Sequence, residues 1–165
     1  GFDVAEDILT DSGHVFLIVA YKLDGIAEIQ EIMVPDTTWQ TDTVTVSPDS
    51  VMVVKSISKI GTRKESKEVF AWNKAYVEDY TGKVNVLMDN VMKQGAKVYA
   101  AAGGVGGEKL ESFKAAIGSN YDWYEADDIL LKTIIRSNPG VVHIQGGKVI
   151  EMWHIRSLPQ NISLN

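Results

Sequence analysis

The chain has 165 residues, of which 45% are hydrophobic, and a formal net charge of −6 at pH 7. This length suits one domain, and the apolar content is sufficient for a hydrophobic core. The acidic balance and the scattered basic residues argue against a non-specific nucleic-acid binder. Because the chain has no cysteine, disulfides, thiolate metal ligands and thiol nucleophiles are excluded within it.

The chain shows neither a signal peptide nor an apolar run near the ~20 residues that a membrane-spanning helix needs. It begins Gly-Phe-Asp without a methionine, and we interpret Gly1 as the remnant of a cleaved expression tag. We therefore expect a soluble piece of a longer polypeptide, such as a membrane protein or a secreted precursor.

The first part of the chain predicts strands. The continuous apolar run at residues 15–21 is typical of a central strand that is covered on both faces. Strict alternation at residues 41–46, turn chemistry at 47–50 and a second apolar run at 51–54 predict a hairpin. Residues 28–34 fit either a strand or a helical turn, and residues 35–38 are predicted to form a loop.

Helical periodicity follows this β-rich stretch. Phe70, Val77, Val84 and Val91 lie seven residues apart, which predicts one long helix or two in tandem, interrupted near Gly82. We interpret the stripe as a face that packs on the core rather than as a coiled coil.

The second half of the chain predicts alternating strands and helices. Residues 97–102 form a second core strand, which we expect to pair in parallel with the first because a helical crossover separates them. A helix over residues 108–117, a short strand over 121–124 and a helix from the N-cap Asp127 to Arg136 follow. The last helix is expected to bury Ile129, Leu130 and Ile134.

Residues 135–153 read as a helix end, a turn at 136–139 and two strands joined by Gly146-Gly147. Two glycines between apolar runs are a strong hairpin signal, because both central positions of the turn can take positive φ. Pro139 suits the start of a strand, since it has no amide hydrogen to donate within a ladder.

Within residues 131–140 the sequence Leu-Lys-Thr-Ile-Ile-Arg-Ser-Asn-Pro-Gly, with the following Gly-Lys-Val-Ile and Trp-His, carries a family resemblance. It resembles the C-terminal thioredoxin-like domain of the DoxX family membrane proteins of Bacteroidetes. The resemblance implies a single α/β domain over residues 1–165 with a thioredoxin-like fold, in which helices flank a central mixed β-sheet. Residues of about 27–60 depart from the family pattern and are interpreted as a β-rich insertion after the first core strand.

The resemblance also implies a location and a site. In the family a hydrophobic multi-helix part precedes this domain, which lies outside the cytoplasmic membrane; we therefore expect a periplasmic domain tethered to the inner membrane. It implies a cis bond between Asn138 and Pro139, opposite the position where thioredoxin-like enzymes carry a Cys-x-x-Cys pair. The matching window here, residues 21–28, contains no sulfur.

The leading functional hypothesis is a redox-inactive domain that binds a partner protein or peptide, or supports the membrane part of its own chain. Tyr21, Asp24, Asn138 and Pro139 are the candidate binding residues, since backbone atoms beside such a proline pair with extended peptides in the family. No catalytic residue, cofactor or metal site is predicted, so the hypothesis leans away from an enzyme.

Two alternatives remain open. In the first, the domain assists a thiol-disulfide oxidoreductase whose cysteines lie outside this segment. In the second, the glycine-rich loop from Gly103 to Gly107 binds a nucleotide or another small ligand, because it follows a strand and precedes a helix. The loop lacks the spacing of the established phosphate-binding motifs, which makes this signal weak.

The three histidines, His14, His143 and His154, are far apart in sequence, and we interpret them as surface or rim residues. His143 and Glu151 are predicted to pair across the terminal hairpin. The four tryptophans, Trp39, Trp72, Trp123 and Trp153, are interpreted as core or rim anchors.

Overall fold

A computed structural model describes residues 4–164; Gly1, on which the tag interpretation rests, lies outside them. The structure is α/β, with a five-stranded mixed sheet flanked by helices. The chain forms two compact units, one comprising residues 27–69 and the other the residues on either side. No helix within residues 4–164 has the length and apolar character needed to cross a membrane.

The strands are β1 (His14–Ala20), β2 (Gly25–Ser47), β3 (Ser50–Trp72), β4 (Lys97–Gly103), β5 (Asp122–Ala126), β6 (Gly140–Gln145) and β7 (Lys148–His154). The helices are α1 (Ala5–Thr10), α2 (Lys74–Asp79), α3 (Asn85–Lys93), α4 (Gly107–Ile117) and α5 (Asp128–Ile134). A π-helical segment (Tyr80–Val84) joins α2 to α3, and a 3₁₀ turn (Ile155–Ser157) follows β7.

The larger sheet has the order β5-β4-β1-β6-β7. β4 is parallel to both β1 and β5, whereas β6 is antiparallel to β1 and to β7. Ile18, in the middle of β1, lies opposite Ala100 on one side and Val141 on the other. The prediction of a central mixed sheet is confirmed: the strands predicted at residues 15–21 and 97–102 and the two strands of the terminal hairpin lie in one sheet.

Side chains of β1 alternate between two apolar layers, one on each face of the sheet. Phe16 and Ile18 belong to the larger layer, with residues of α2, α3 and α4. Val15 and Val19 belong to the smaller layer, with Leu131 of α5. Burial on both faces explains why this strand reads as a continuous apolar run.

The helical region begins later than the heptad spacing suggests. Phe70 is part of β3, so its assignment to the helix was wrong. The Asn73 side chain accepts hydrogen bonds from the amides of Ala75 and Tyr76 and begins α2 there. The predicted interruption near Gly82 is confirmed, because Gly82 lies within the π-helical segment.

Helix α5 begins as predicted, and of its three predicted buried residues only Ile134 packs, half-buried, on the smaller apolar layer. The Asp127 side chain accepts a hydrogen bond from the Leu130 amide, which confirms the N-cap. Ile129 and Leu130 are 68% and 58% exposed, however, and Leu131 is the buried residue. The helix has fewer than two full turns, so only a few of its side chains can face the sheet. The position at which Asp127 begins the helix determines that Leu131 is among them.

The hairpin predicted around residues 47–50 is confirmed, but it is much longer than the sequence suggested. β2 and β3 each contain 23 residues and form a two-stranded ribbon joined by a turn at residues 48–49. The predicted loop at 35–38 lies within β2, where Pro35 is tolerated because the strand has a free edge. The ribbon also runs beyond the insertion predicted for residues of about 27–60.

Candidate functional site

The turn before β6 is held by its own buried serine. The bond between Asn138 and Pro139 is cis, as the family resemblance implied. The Ser137 hydroxyl donates to the carbonyl oxygen of Pro139 and accepts from the Ile155 amide at 3.0 Å. Ser137 is 2% exposed, so these bonds are shielded from water and fix the backbone that carries Asn138.

Two side chains hold the segment after β1 against this turn. Asn138 Nδ2 donates to the carbonyl oxygen of Lys22 at 2.7 Å. The Tyr76 hydroxyl donates to the same oxygen at 3.0 Å and lies 3.5 Å from Asn138 Oδ1. The carbonyl that follows the central strand is therefore bonded from both α2 and the proline turn.

The remaining predicted binding residues lie along the same segment. The Tyr21 hydroxyl donates to the carbonyl oxygen of Arg136 at 3.4 Å. Asp24 Oδ2 accepts from Asn73 Nδ2 at 2.8 Å, at the beginning of α2. The structure thus brings Tyr21, Asp24, Asn138 and Pro139 into one region, which we call the proline-turn site and define as residues 21–24 and 136–139.

Tyr76 lies outside these two ranges but bonds directly to the proline-turn site through the Lys22 carbonyl oxygen, and sequence reasoning missed it. Its ring packs edge-on against Tyr80, with centroids 5.3 Å apart, and burial raises the pKa of both phenols well above their usual value. Both hydroxyls are therefore neutral at pH 7 and able to donate. The available signal was a pair of tyrosines four residues apart, directly after a capping asparagine.

Two cavities adjoin Tyr21. The larger, of about 790 Å³, is lined by α5 and by Lys132 and Arg136. The smaller, of about 390 Å³, is lined by the glycine-rich loop and by Lys22, Lys109 and Lys132. The surroundings of Tyr21 are thus basic, although the chain as a whole is acidic.

Lys132 lines both cavities and forms an ion pair with Asp128 of the same helix. Its Nζ lies 2.6 Å from Asp128 Oδ2 and 5.6 Å from the centre of the Tyr21 ring. The hydrogen bond between the two side chains lowers the pKa of Asp128 and raises the pKa of Lys132. Within residues 4–164 neither Lys22 nor Arg136 forms an ion pair, so their charges are available to a ligand.

The histidines are arranged differently from the prediction. His143 is 6% exposed and stacks on Phe16, with ring centroids 4.4 Å apart, so its interpretation as a surface or rim residue was wrong. Its Nε2 lies 2.9 Å from His14 Nδ1. The predicted pairing with Glu151 across the hairpin is confirmed by the strand register. Among residues 4–164 no group of three or more potential metal-ligating side chains is present.

The chemistry available at the proline-turn site is hydrogen bonding and charge. The segment after β1 reads Tyr-Lys-Leu-Asp and offers no thiol for disulfide exchange. The phenol and amide donors of the site are engaged in internal hydrogen bonds. What the site offers to a ligand is a fixed turn and the charges of Lys22 and Arg136, which form no ion pair within residues 4–164.

No family model, no curated protein and no solved structure matches this chain. Its function is therefore inferred from the proline-turn site and the cavities beside it.

Proposed function

We propose that this chain is a cysteine-free, thioredoxin-like binding domain that takes up an extended peptide segment of a partner at the proline-turn site. The proposal includes a setting: the periplasmic part of a DoxX-type membrane protein, as the resemblance of residues 131–140 implies. The observation that carries it is the turn at residues 136–139, whose Asn138 side chain bonds to the segment after β1 at 2.7 Å.

The backbone of Asn138 supports recognition by strand addition. Its side chain bonds to Lys22, but within residues 4–164 neither its N–H nor its C=O bonds to another backbone group. The residue is half-buried, so its polar backbone groups gain from an external partner. An extended peptide supplies such a partner through its own main chain.

The neighbouring charges indicate what kind of segment is favoured. Lys22 and Arg136 flank the site without ion-pair partners among residues 4–164. A peptide with at least one acidic side chain gains from their field, and this gain weakens with salt. Since the chain has no thiol, efficient reduction of insulin by the purified domain would contradict the proposal.

Amide-resolved NMR titration with capped peptides of alternating valine and glutamate tests this mode. We expect the largest shifts at Asn138 and at residues 22–24. The matched control is the same peptide with N-methyl groups on alternate amides, which keeps the side chains but removes main-chain donors. Shifts confined to other surfaces, or equal shifts with the methylated peptide, would contradict strand addition.

Two arginines separate the charge effect from non-specific attraction. Arg136→Gln is expected to weaken binding of the acidic peptide several-fold at low salt, because a flanking charge is lost. Arg156→Gln is the matched control, since Arg156 is also exposed but lies after β7. Equal weakening in both variants would assign the effect to net charge alone.

The smaller cavity supports a second candidate function, the binding of a small anion. Its lining includes the glycine-rich loop and three lysines, Lys22, Lys109 and Lys132, together with Asp128, the ion-pair partner of Lys132. Thermal unfolding with inorganic phosphate, ATP, NAD and flavin tests it. We expect a stabilising shift that disappears in Lys109→Gln but persists in Lys114→Gln, a lysine in the last turn of the same helix. A flat response to every ligand would dispose of this candidate.

A further inference from the structure

The β2–β3 ribbon exposes an apolar surface that is independent of the proline-turn site. A two-residue turn connects the strands, so counting back from it places Val46 opposite Val51 and Val44 opposite Val53. These four side chains share one face and are 48–64% exposed. We call them the valine face.

The ion pair further along the ribbon agrees with this counting. Lys64 Nζ lies 3.0 Å from Glu31 Oε2. Counting from the turn places position 31 opposite position 66, so Lys64 is a diagonal neighbour on the same face as Glu31. The assignment of residues to the two faces of the ribbon, deduced from the turn, is therefore consistent as far as positions 31 and 64.

A two-stranded ribbon with an exposed apolar face is stabilised when another surface packs on that face. An isolated two-stranded hairpin is at best marginally stable in water, and stability comes from further strands or from packing of an apolar face. Here both strands are exposed over almost their whole length. Val44, Val46, Val51 and Val53 are directly opposed in pairs, an arrangement suited to close packing against another apolar sheet face.

Charge is divided unequally between the two strands. β2 carries only acidic charges, Glu28, Glu31, Asp36 and Asp42. β3 carries five basic residues, Lys55, Lys59, Arg63, Lys64 and Lys67, together with Glu65 and Glu68. Counting from the turn, Glu28, Asp36 and Asp42 share the face of the valines with Lys55, Lys59, Arg63, Glu65 and Lys67. On this face each strand is therefore complementary in net charge to the other strand of a second, identical ribbon.

We propose that two copies of this chain associate through their ribbons, valine face against valine face, about a two-fold axis parallel to the strands. This operation stacks β2 of one copy on β3 of the other and brings both turns to the same end. Asp42 and Lys55 flank the valine face opposite each other, so each lies against its counterpart of opposite charge in the second copy. A two-fold axis across the strands would instead stack acidic strand on acidic strand.

The dimensions agree with such an interface. At ~3.3 Å per residue, about 21 residues of each strand give a face about 70 Å long and about 10 Å wide, or about 700 Å². A stable interface buries about 800 Å² on each partner. The whole ribbon face thus offers an area close to this size, with the four valines at the end next to the turn.

Molecular mass in solution gives the first test. We expect light scattering on the intact chain to report twice the chain mass of 18.2 kDa. The Val44→Ser/Val53→Ser variant should be monomeric, whereas Met52→Ser/Val54→Ser, which changes the opposite face, should remain dimeric. A monomeric wild-type chain at high micromolar concentration, or a dimer that survives the loss of both valines, would overturn the proposal.

Charge reversal provides a second test, which does not depend on apolar substitutions that threaten folding. In the Asp42→Lys variant, positions 42 and 55 of each ribbon are both lysine. In the Lys55→Asp variant, the same two positions are both aspartate. Each variant alone should dimerise at least ten-fold more weakly than wild type, because like charges face each other. An equimolar mixture should recover the dimer as a heterodimer. Failure of the mixture to recover would contradict the two-fold arrangement.

A spin label at the turn distinguishes the two possible orientations. Because the chain has no cysteine, Asp49→Cys provides one labelling site per copy. Parallel ribbons bring the two labels close together, since stacked sheets lie about 10 Å apart. A long distance between the labels in a confirmed dimer would overturn the parallel two-fold arrangement.

Discussion

His14 Nδ1 lies 2.9 Å from His143 Nε2, so one of the two ring nitrogens donates its N–H to the other and the tautomers of the rings set the direction. The His143 ring is enclosed by aromatic rings, Phe16 at 4.4 Å and Trp153 at 6.3 Å between centroids. Glu151 is its neighbour in the strand register. The pair is satisfied when at least one ring is neutral, because two imidazolium rings would direct N–H groups at each other.

This geometry predicts that mild acid destabilises the fold. Burial lowers the pKa of His143 below its usual value of 6.5, and the charge of the neighbouring His14 lowers it further by a smaller amount. The unfolded chain therefore binds a proton before the folded chain does as the pH falls. The free energy of unfolding should be highest above pH 6.5 and decrease from there down to the lowered pKa of the folded state. Urea unfolding at about pH 8 and about pH 5 measures this difference.

Two histidine substitutions isolate the source of this pH dependence. His143→Gln should remove most of the loss between neutral and mildly acidic pH. His154→Asn is the matched control, because His154 is exposed and asparagine keeps an acceptor for the Arg156 amide. If both variants retain the slope of the wild type, His143 is not its origin.

The three inner strands of the central sheet, β1, β4 and β6, were predictable because they are buried on both faces. The run at residues 15–21 has no polar residue, and the glycine pair at 146–147 takes positive φ as expected. Asp127 was recognisable as a cap because its effect is local. Features of this kind depend on near neighbours along the chain, which periodicity and turn chemistry reflect.

The full length of the ribbon and the histidine pair were not predictable, because both depend on pairing between residues that are distant in sequence. His14 and His143 are 129 positions apart, and only the pairing of β1 with β6 brings them together. The length of the ribbon depends on continued pairing of β2 with β3. The polar stretch at residues 35–43 does not predict this pairing. Tyr76 likewise joined the site through a contact with Lys22 that is 54 positions away.

Ser137 provides a second prediction, on stability. Replacing it with alanine removes the acceptor of the Ile155 amide, a buried donor that then lacks a partner. An unsatisfied buried group costs about 1–3 kcal/mol, so we expect Ser137→Ala to lower the free energy of unfolding by that amount. Ser157→Ala is the control, because the Ser157 hydroxyl donates to His154 in an exposed turn. Equal small effects in both variants would show that the proline turn does not depend on Ser137.

Gly25 provides a third prediction, because the Trp72 ring occupies the space that a side chain would need. A Cβ at position 25 would lie 2.3 Å from Cε3 of Trp72. The ring cannot swing away freely, since it packs against Phe113 at 4.9 Å and its Nε1 donates to Ser112 at 3.3 Å. One of these contacts must therefore be lost or the strand must move.

Gly25→Ala should accordingly lower the free energy of unfolding by about 1–3 kcal/mol, the usual range for overpacking. Gly82→Ala is the matched control, because an added Cβ there meets nothing within 4 Å and alanine favours helix over glycine by up to about 1 kcal/mol. Urea unfolding followed by tryptophan fluorescence measures both changes. Stability equal to wild type in Gly25→Ala would mean that Trp72 relaxes at little cost and does not fix the beginning of β2.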